Sequence, residues 1–220
     1  MDRTPRGAGW KPAHTVYLLL IAATISGCTS AAANLLWVAG VENTPAKCKA
    51  LEGRRVAVVC RSVSNLKYRT TFAARDLADS VGRLLKERVR KIELVDPREV
   101  ARWTDENDWD EAIEVGEAVD ADVVVAIDLE QFSLFDGQTL YRGRANVVIS
   151  VYDLKKDREM VFQEFPPEVL YPPNTGVPIS DKQESQFQRE FVQILGHRIA
   201  RLFYAHDSNE FFASDSLAFR

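Results

Sequence analysis

The chain predicts a mixed α/β domain of two or three layers, with the order β-α-β-α-α-β-β-β-α, a late antiparallel meander and a long C-terminal amphipathic helix. Three observations carry this expectation. The apolar runs Val56-Ala57-Val58-Val59 and Val123-Val124-Val125-Ala126-Ile127 read as strands buried on both faces. Between them, Ala74, Leu77, Ala78, Val81, Leu84, Leu85 and Val89 recur at helical spacing, opposite Arg75, Asp79, Arg83 and Lys86. Beyond them, Asp136-Gly137 joins two alternating segments as a hairpin turn does.

In chain order, residues 54–61 form the first strand, and a polar stretch, Ser62-Val63-Ser64-Asn65, leads to a helix capped by Thr70 or Thr71. Ile92 to Val95 is a second short strand. Asp96-Pro97 ends it and starts a helix through Trp103, because proline suits a first helical turn. Asp105, Asn107 and Asp108 mark a turn, and Asp110 to Val119 a further helix. Asp122 to Leu134 is the central strand. Its hairpin partner alternates Ala145, Val147, Ile149 and Val151 with Arg144, Asn146, Ser150 and Tyr152. A second hairpin turns at residues 155–158, Glu159 to Phe165 returns as a strand, and a proline-rich loop covers residues 171–178. The closing helix runs from Lys182 to Tyr204, with Phe187, Phe191, Ile194, Leu195, Ile199, Leu202 and Phe203 along one side.

The front of the chain has a different character. Arg3, Arg6 and Lys11 precede an apolar stretch from Thr15 to Ile25, which ends in Thr24-Ile25-Ser26-Gly27-Cys28. Those last five residues resemble a bacterial lipobox. The resemblance implies a signal peptide over residues 1–27, cleavage before Cys28, and acyl chains on the Cys28 sulfur and amino group that hold the protein on a membrane. A transmembrane span or a simple cleaved signal is the alternative, although a span needs about 20 apolar residues and this stretch is bounded by Lys11 and His14 on one side and by Ser26 and Gly27 on the other. Lipoproteins retained at the inner membrane often carry Asp after the modified Cys. Thr29 stands there, so the resemblance implies the outer membrane, facing the periplasm. Residues 28–50 read as a lipidated tether, 51–206 as the domain, and 207–220 as a tail holding Phe211, Phe212, Leu217 and Phe219.

The composition, 46% hydrophobic and 27% charged, is that of a folded globule. A leader holding three of the 28 basic and one of the 32 acidic residues leaves the remainder at a net charge of about −6, which excludes a nucleic-acid-binding reading. The basic group Lys86, Arg88, Arg90 and Lys91 closes a helix, where cations complement the helix dipole. With Cys28 assigned to lipid, Cys48 and Cys60 are left; a bridge is open to them, and so is burial of Cys60 as a small hydrophobe.

Four stretches carry a second resemblance. They are Val56 to Val59, the Leu77 to Leu85 helix before Ile92 to Asp96, Ala121-Asp122 leading into Val123 to Val125, and Val148 to Asp153 before a polar hairpin. Over residues 54–204 the chain resembles the amino-terminal domain of TolB and the related fold of curli-secretion lipoproteins and of lipoprotein activators of peptidoglycan synthases. What these share is a tethered module that binds other envelope proteins. The chain departs from a curli-type channel in lacking long membrane-spanning hairpins, and from TolB in having no propeller.

The chain holds no Gly-x-Ser-x-Gly, Gly-x-x-x-x-Gly-Lys or His-Glu-x-x-His motif and no Cys-x-x-Cys. His197 falls on the polar side of the last helix. Asp128 and Glu130, at strand spacing near the carboxyl end of the central strand, are the candidate metal or acid/base pair, with ion pairing to Arg142 or Arg144 the competing account. Phe135, Tyr141 and Tyr171, with Phe132 and Tyr152, gather around the hairpins and the proline-rich loop. The first three are candidate partner-binding residues, core packing being the other reading. The expected function is a lipid-anchored, non-enzymatic adaptor for envelope proteins without a cofactor beyond the lipid on Cys28. The alternatives are a transporter's auxiliary lipoprotein holding a small ligand, or a hydrolase using Asp128 and Glu130.

Overall fold

A computed structural model describes residues 43–63 and 69–207 of the chain. The leader, Cys28, the Leu35-Leu36-Trp37-Val38 stretch, the Ser64-Asn65 turn and the tail from residue 208 lie outside the described residues. The expected element order is observed with two short strands added before the last helix: β1 (Arg55–Ser62), α1 (Arg69–Arg88), β2 (Glu93–Leu94), α2 (Pro97–Glu106), α3 (Ala112–Ala118), β3 (Val123–Asp136), β4 (Leu140–Asp153), β5 (Glu159–Glu164), β6 (Val169–Tyr171), β7 (Val177–Pro178) and α4 (Glu184–Ala200).

One sheet runs in the order β2-β1-β3-β4-β5. β1 is parallel to both neighbours, with Val56 opposite Leu94 on one side and Val123 on the other. β3, β4 and β5 form the antiparallel meander. Because β1 and β3 are covered on both faces, residues of one strand enter two cores. Val56 and Val58 join Leu77, Val81, Leu85, Phe187 and Leu195 under α1 and α4. Ala57, Val59 and Val124 join Val100, Val115 and Val119 under α2 and α3. The domain is therefore three-layered, and the continuous apolar runs are continuous for that reason.

Several boundaries differ from expectation. α1 starts at Arg69, so positions 70 and 71 fall inside its first turn and not at the position before it. β2 keeps two residues of the expected four, because Asp96 is already the cap of α2: its carboxylate accepts from the Arg98 amide at 2.9 Å, with Pro97 in the first turn. α2 runs on to Glu106 and absorbs Asp105 from the expected turn. α4 ends at Ala200, and residues 201–203 tighten into a 3₁₀ turn.

The proline-rich loop is partly strand. β4 has 14 residues and β5 only six, which leaves the first half of β4 without a partner on that side; β6 and β7 supply one, with Tyr171 opposite Gly143 and Val177 opposite Tyr141. The expected tether also overlaps the fold. The packed unit begins at Thr44, and the Lys47 and Cys48 amides donate to the Leu202 carbonyl at 2.9 and 3.0 Å while Cys48 and Leu51 enter the core. Cys48 and Cys60 are free thiols.

Candidate functional site

β1 to β2 crosses over by α1 on one face of the sheet, and β2 returns past β1 to β3 by α2 and α3 on the other. Chains leaving the carboxyl ends of β1 and β2 thus part to opposite faces, and a cleft must open between them, at the place where open α/β sheets receive ligands. It is there. A cavity of about 240 Å³ is floored by Val58, Val59 and Cys60 and walled by Ala74 and Ala78 of α1 and by Val100, Ala101 and Thr104 of α2. Its rim carries Arg61, Arg75, Asp79, Asp105 and Trp109.

The rim charges are arranged in pairs. Arg75 of α1 donates to Asp105 of α2 at 2.5 Å and ties the two walls together. Arg61, the first charged residue after the apolar run of β1, donates through Nε to Asp128 Oδ1 at 2.5 Å and through Nη1 to the Asp110 carbonyl. Loss of hydration at the cleft wall, with the Asp76 charge beside it, holds the Asp79 carboxyl above its ordinary range. Burial, and then the Asp128 charge, pushes the Cys60 thiol well up, so it lines the cleft as a neutral, weakly nucleophilic group. An apolar slot whose mouth guanidinium groups are already paired suits a small, largely apolar molecule.

Asp128 and Glu130 do not form a pair. Asp128 is held by Arg61 on the adjacent parallel strand, and not by Arg142 or Arg144, which bridge to Asp136 at 3.5 Å and Glu168 at 3.8 Å. A β-bulge falls between Leu129 and Gln131. Glu130 is the extra residue, exposed and outside the register, so the strand spacing that placed the two carboxylates on one face is broken between them. The bulge serves packing. It shifts the alternation by one residue and turns Phe132 inward, where its ring stacks on Phe191 at 5.4 Å. Among the described residues no group of three His, Cys, Asp or Glu side chains is placed to hold a metal ion.

The three aromatic candidates belong to one stack with different exposures. Tyr141 and Tyr171 lie on Phe187 at centroid distances of 5.1 and 5.9 Å, and both are buried, so they pack the core and present no surface. Phe135, 5.3 Å from Tyr141, is the exposed end, 42% accessible at the tip of the β3–β4 hairpin. Ile179 is exposed as well, and its amide donates to the Thr139 carbonyl beside the turn. The sequence reading did not single out Arg61, Arg75, Asp79 or Ile179. The one usable signal was Arg61, a charge at the carboxyl end of an all-apolar parallel strand.

Fold and site together define a three-layer α/β domain with a small cleft at its topological switch point. No protein-family model and no curated protein matches the chain. Among solved structures, the PelC dodecamer from Paraburkholderia phytofirmans aligns at 11% identity and a TM-score of 0.43, over 74% of this chain and 96% of that one. The hypothetical protein CT253 from Chlamydia trachomatis aligns at 17% identity and 0.39, over 74% and 94%. The lipoprotein GNA1162 from Neisseria meningitidis aligns at 10% identity and 0.38, over 66% and 95%.

Proposed function

We propose that the protein is a lipid-anchored, non-enzymatic adaptor that holds an envelope protein through the hairpin tip. The observation that carries this reading is the lipobox, Thr24 to Cys28, set ahead of a single α/β domain. Two or more acyl chains on Cys28, at about 0.8 kcal/mol per buried methylene, make attachment stable without a spanning segment. No helix among the described residues is long and apolar enough to cross a membrane. Phe135 at the hairpin tip and Ile179 just after β7 are exposed large apolar side chains, the kind in which interface energy concentrates. Co-purification from solubilised membranes tests this: the partner retained by the parent should be lost from Phe135→Ala/Ile179→Ala and kept by Asp128→Asn/Glu130→Gln. Retention by the first variant and loss by the second would reverse the assignment.

The cleft favours a second reading, an auxiliary lipoprotein of a transporter that holds a small ligand between α1 and α2. Ala101→Phe, which fills the slot, separates the two. A folded variant that still rescues a deletion strain supports the adaptor, and one that keeps its partner but fails to rescue supports the ligand site.

A further inference from the structure

The cleft between α1 and α2 owes its room to small side chains. Ala74, Ala78 and Gly82 recur at helical spacing on the wall that α1 presents, and Ala101 stands on the α2 wall. At about 240 Å³ the cleft exceeds the roughly 150 Å³ that seats a benzene ring, so a ring with a short arm fits.

The polar groups still open on the cleft wall decide what such an arm carries. Arg61 is engaged by Asp128 and the Asp110 carbonyl, Arg75 by Asp105, and Ser62 has its own partner within the protein. The Thr104 hydroxyl gives its hydrogen to the Ala101 carbonyl at 3.0 Å and keeps its lone pairs. Asp79 differs from the arginines. Among the described residues it lines the cleft with no hydrogen bond and no ion pair. Asp79 and Thr104 thus offer acceptors, and a ligand that uses them has to donate.

The charge on Asp79 selects the donor. Arg75 and Arg83 act on it from its own helix, and Arg98 and Arg102 line the groove just outside the cleft. Against them stand partial burial, Asp76 and Asp96, and these prevail, because the carboxyl is held above its ordinary range. A carboxylate short of counter-charge beside an apolar slot gains most from a cation with a hydrocarbon body. We infer that the cleft binds a small primary amine, its hydrocarbon part in the slot between α1 and α2 and its ammonium donating to the Asp79 carboxylate. The inference rests on the reading of the cleft as a ligand site and adds the chemical class of the ligand.

The test is calorimetric titration of the full chain, in a neutral detergent at pH 7, with three probes of one shape. Benzylamine is the cation, benzyl alcohol the neutral donor and benzoate the anion. Benzylamine should bind about tenfold tighter than either of the others, or better. Asp79→Asn, at an exposed position and with side-chain size kept, should bring benzylamine down to the level of benzyl alcohol and leave benzyl alcohol unchanged. Ala101→Phe should remove binding by filling the slot. Equal affinity for benzyl alcohol would show that the slot selects an apolar body alone. Equal or tighter binding of benzoate would show that Arg98 and Arg102 govern the mouth, and full benzylamine affinity in Asp79→Asn would take that carboxylate out of the account. Each of these three overturns the inference and leaves the cleft a ligand site. Binding of none of the probes, or benzylamine held by a folded Ala101→Phe variant, overturns the inference and the cleft reading together.

Discussion

Arg61 and Asp128 sit directly opposite each other on the parallel strands β1 and β3, and the Arg61 Nε–Asp128 Oδ1 distance is 2.5 Å. The pair closes the carboxyl end of the two strands next to the cleft, and it takes one of the two candidate carboxylates into a structural bridge. Arg61 is nearly half exposed and Asp128 a quarter. Asp128→Asn should therefore cost about 1 kcal/mol in chemical denaturation. The double variant Asp128→Asn/Glu130→Gln should still rescue a deletion strain; a folded double variant that fails to do so would return the carboxylates to a catalytic or metal role.

Gly116 on α3 lets that helix lie against β3. A Cβ at this position would meet Val124 Cγ2 at 2.0 Å and Leu154 Cδ1 at 3.0 Å, where no atom can stay. Gly116→Ala should destabilise by about 1–3 kcal/mol through overpacking. Adding Val124→Ala should make the double variant less unstable than the sum of the singles, and plain additivity in that cycle would show that the α3–β3 contact is looser than described.

Val124 itself reports on the sheet. It is fully buried between α3 and the rest of the second core, so Val124→Asp places an unpaired charge where none can be solvated and should cost several kcal/mol. A variant that melts like the parent would show that β3 is not central.

Acid should destabilise the fold through two carboxylates at the amino ends of the parallel strands. Asp122 is held below the usual range first by the Arg55 amide, and then by Lys155 and Arg54. In Asp153, burial acts to raise the carboxyl, and the Arg54 hydrogen bonds, with the Lys155 amide, outweigh it and leave it lowered. A folded-state value below the unfolded one means that the stabilisation is complete above about pH 4 and is lost as the pH falls through the folded-state values. The denaturation midpoint should fall between pH 5 and 3, and Asp153→Asn should be less stable at pH 7 with a flatter acid limb. An unchanged acid limb would rule out this carboxylate as its source.

The aromatic stack predicts opposite outcomes at its two ends. Tyr171→Ala removes a buried ring from Phe187 and should cost about 3–5 kcal/mol in denaturant. Phe135→Ala, at the exposed tip, should cost under about 1 kcal/mol and act on partner retention. If Phe135→Ala were as destabilising as Tyr171→Ala, the tip would be part of the core.

Much of the architecture was legible because it rests on local chemistry. The apolar runs of β1 and β3, the stripes of α1 and α4, the Asp96-Pro97 start of α2 and the Asp136-Gly137 turn, with Gly137 at φ 69°, each state their structure within a few residues. The sites were less legible because they depend on register and on meetings between distant residues. Period-two counting placed Asp128 and Glu130 together, and a bulge in which Glu130 is the extra residue took them apart. Aromatic clustering selected Phe135, Tyr141 and Tyr171 alike, because side-chain size does not distinguish a ring under α4 from one at a hairpin tip.

By itself, the sequence determined the order of the main elements and the burial of the strands, since periodicity and short motifs are properties of neighbours along the chain. Only the tertiary structure decided which charges meet. Arg61 reaches Asp128 across 67 residues, Arg75 reaches Asp105 across 30, and Lys47 comes beside Arg198 and Arg201 in the same pocket. Contacts of that kind arise from crossover connections and sheet order, which bring the carboxyl ends of β1 and β2 to one cleft and the ends of α1 and α4 close to Lys47.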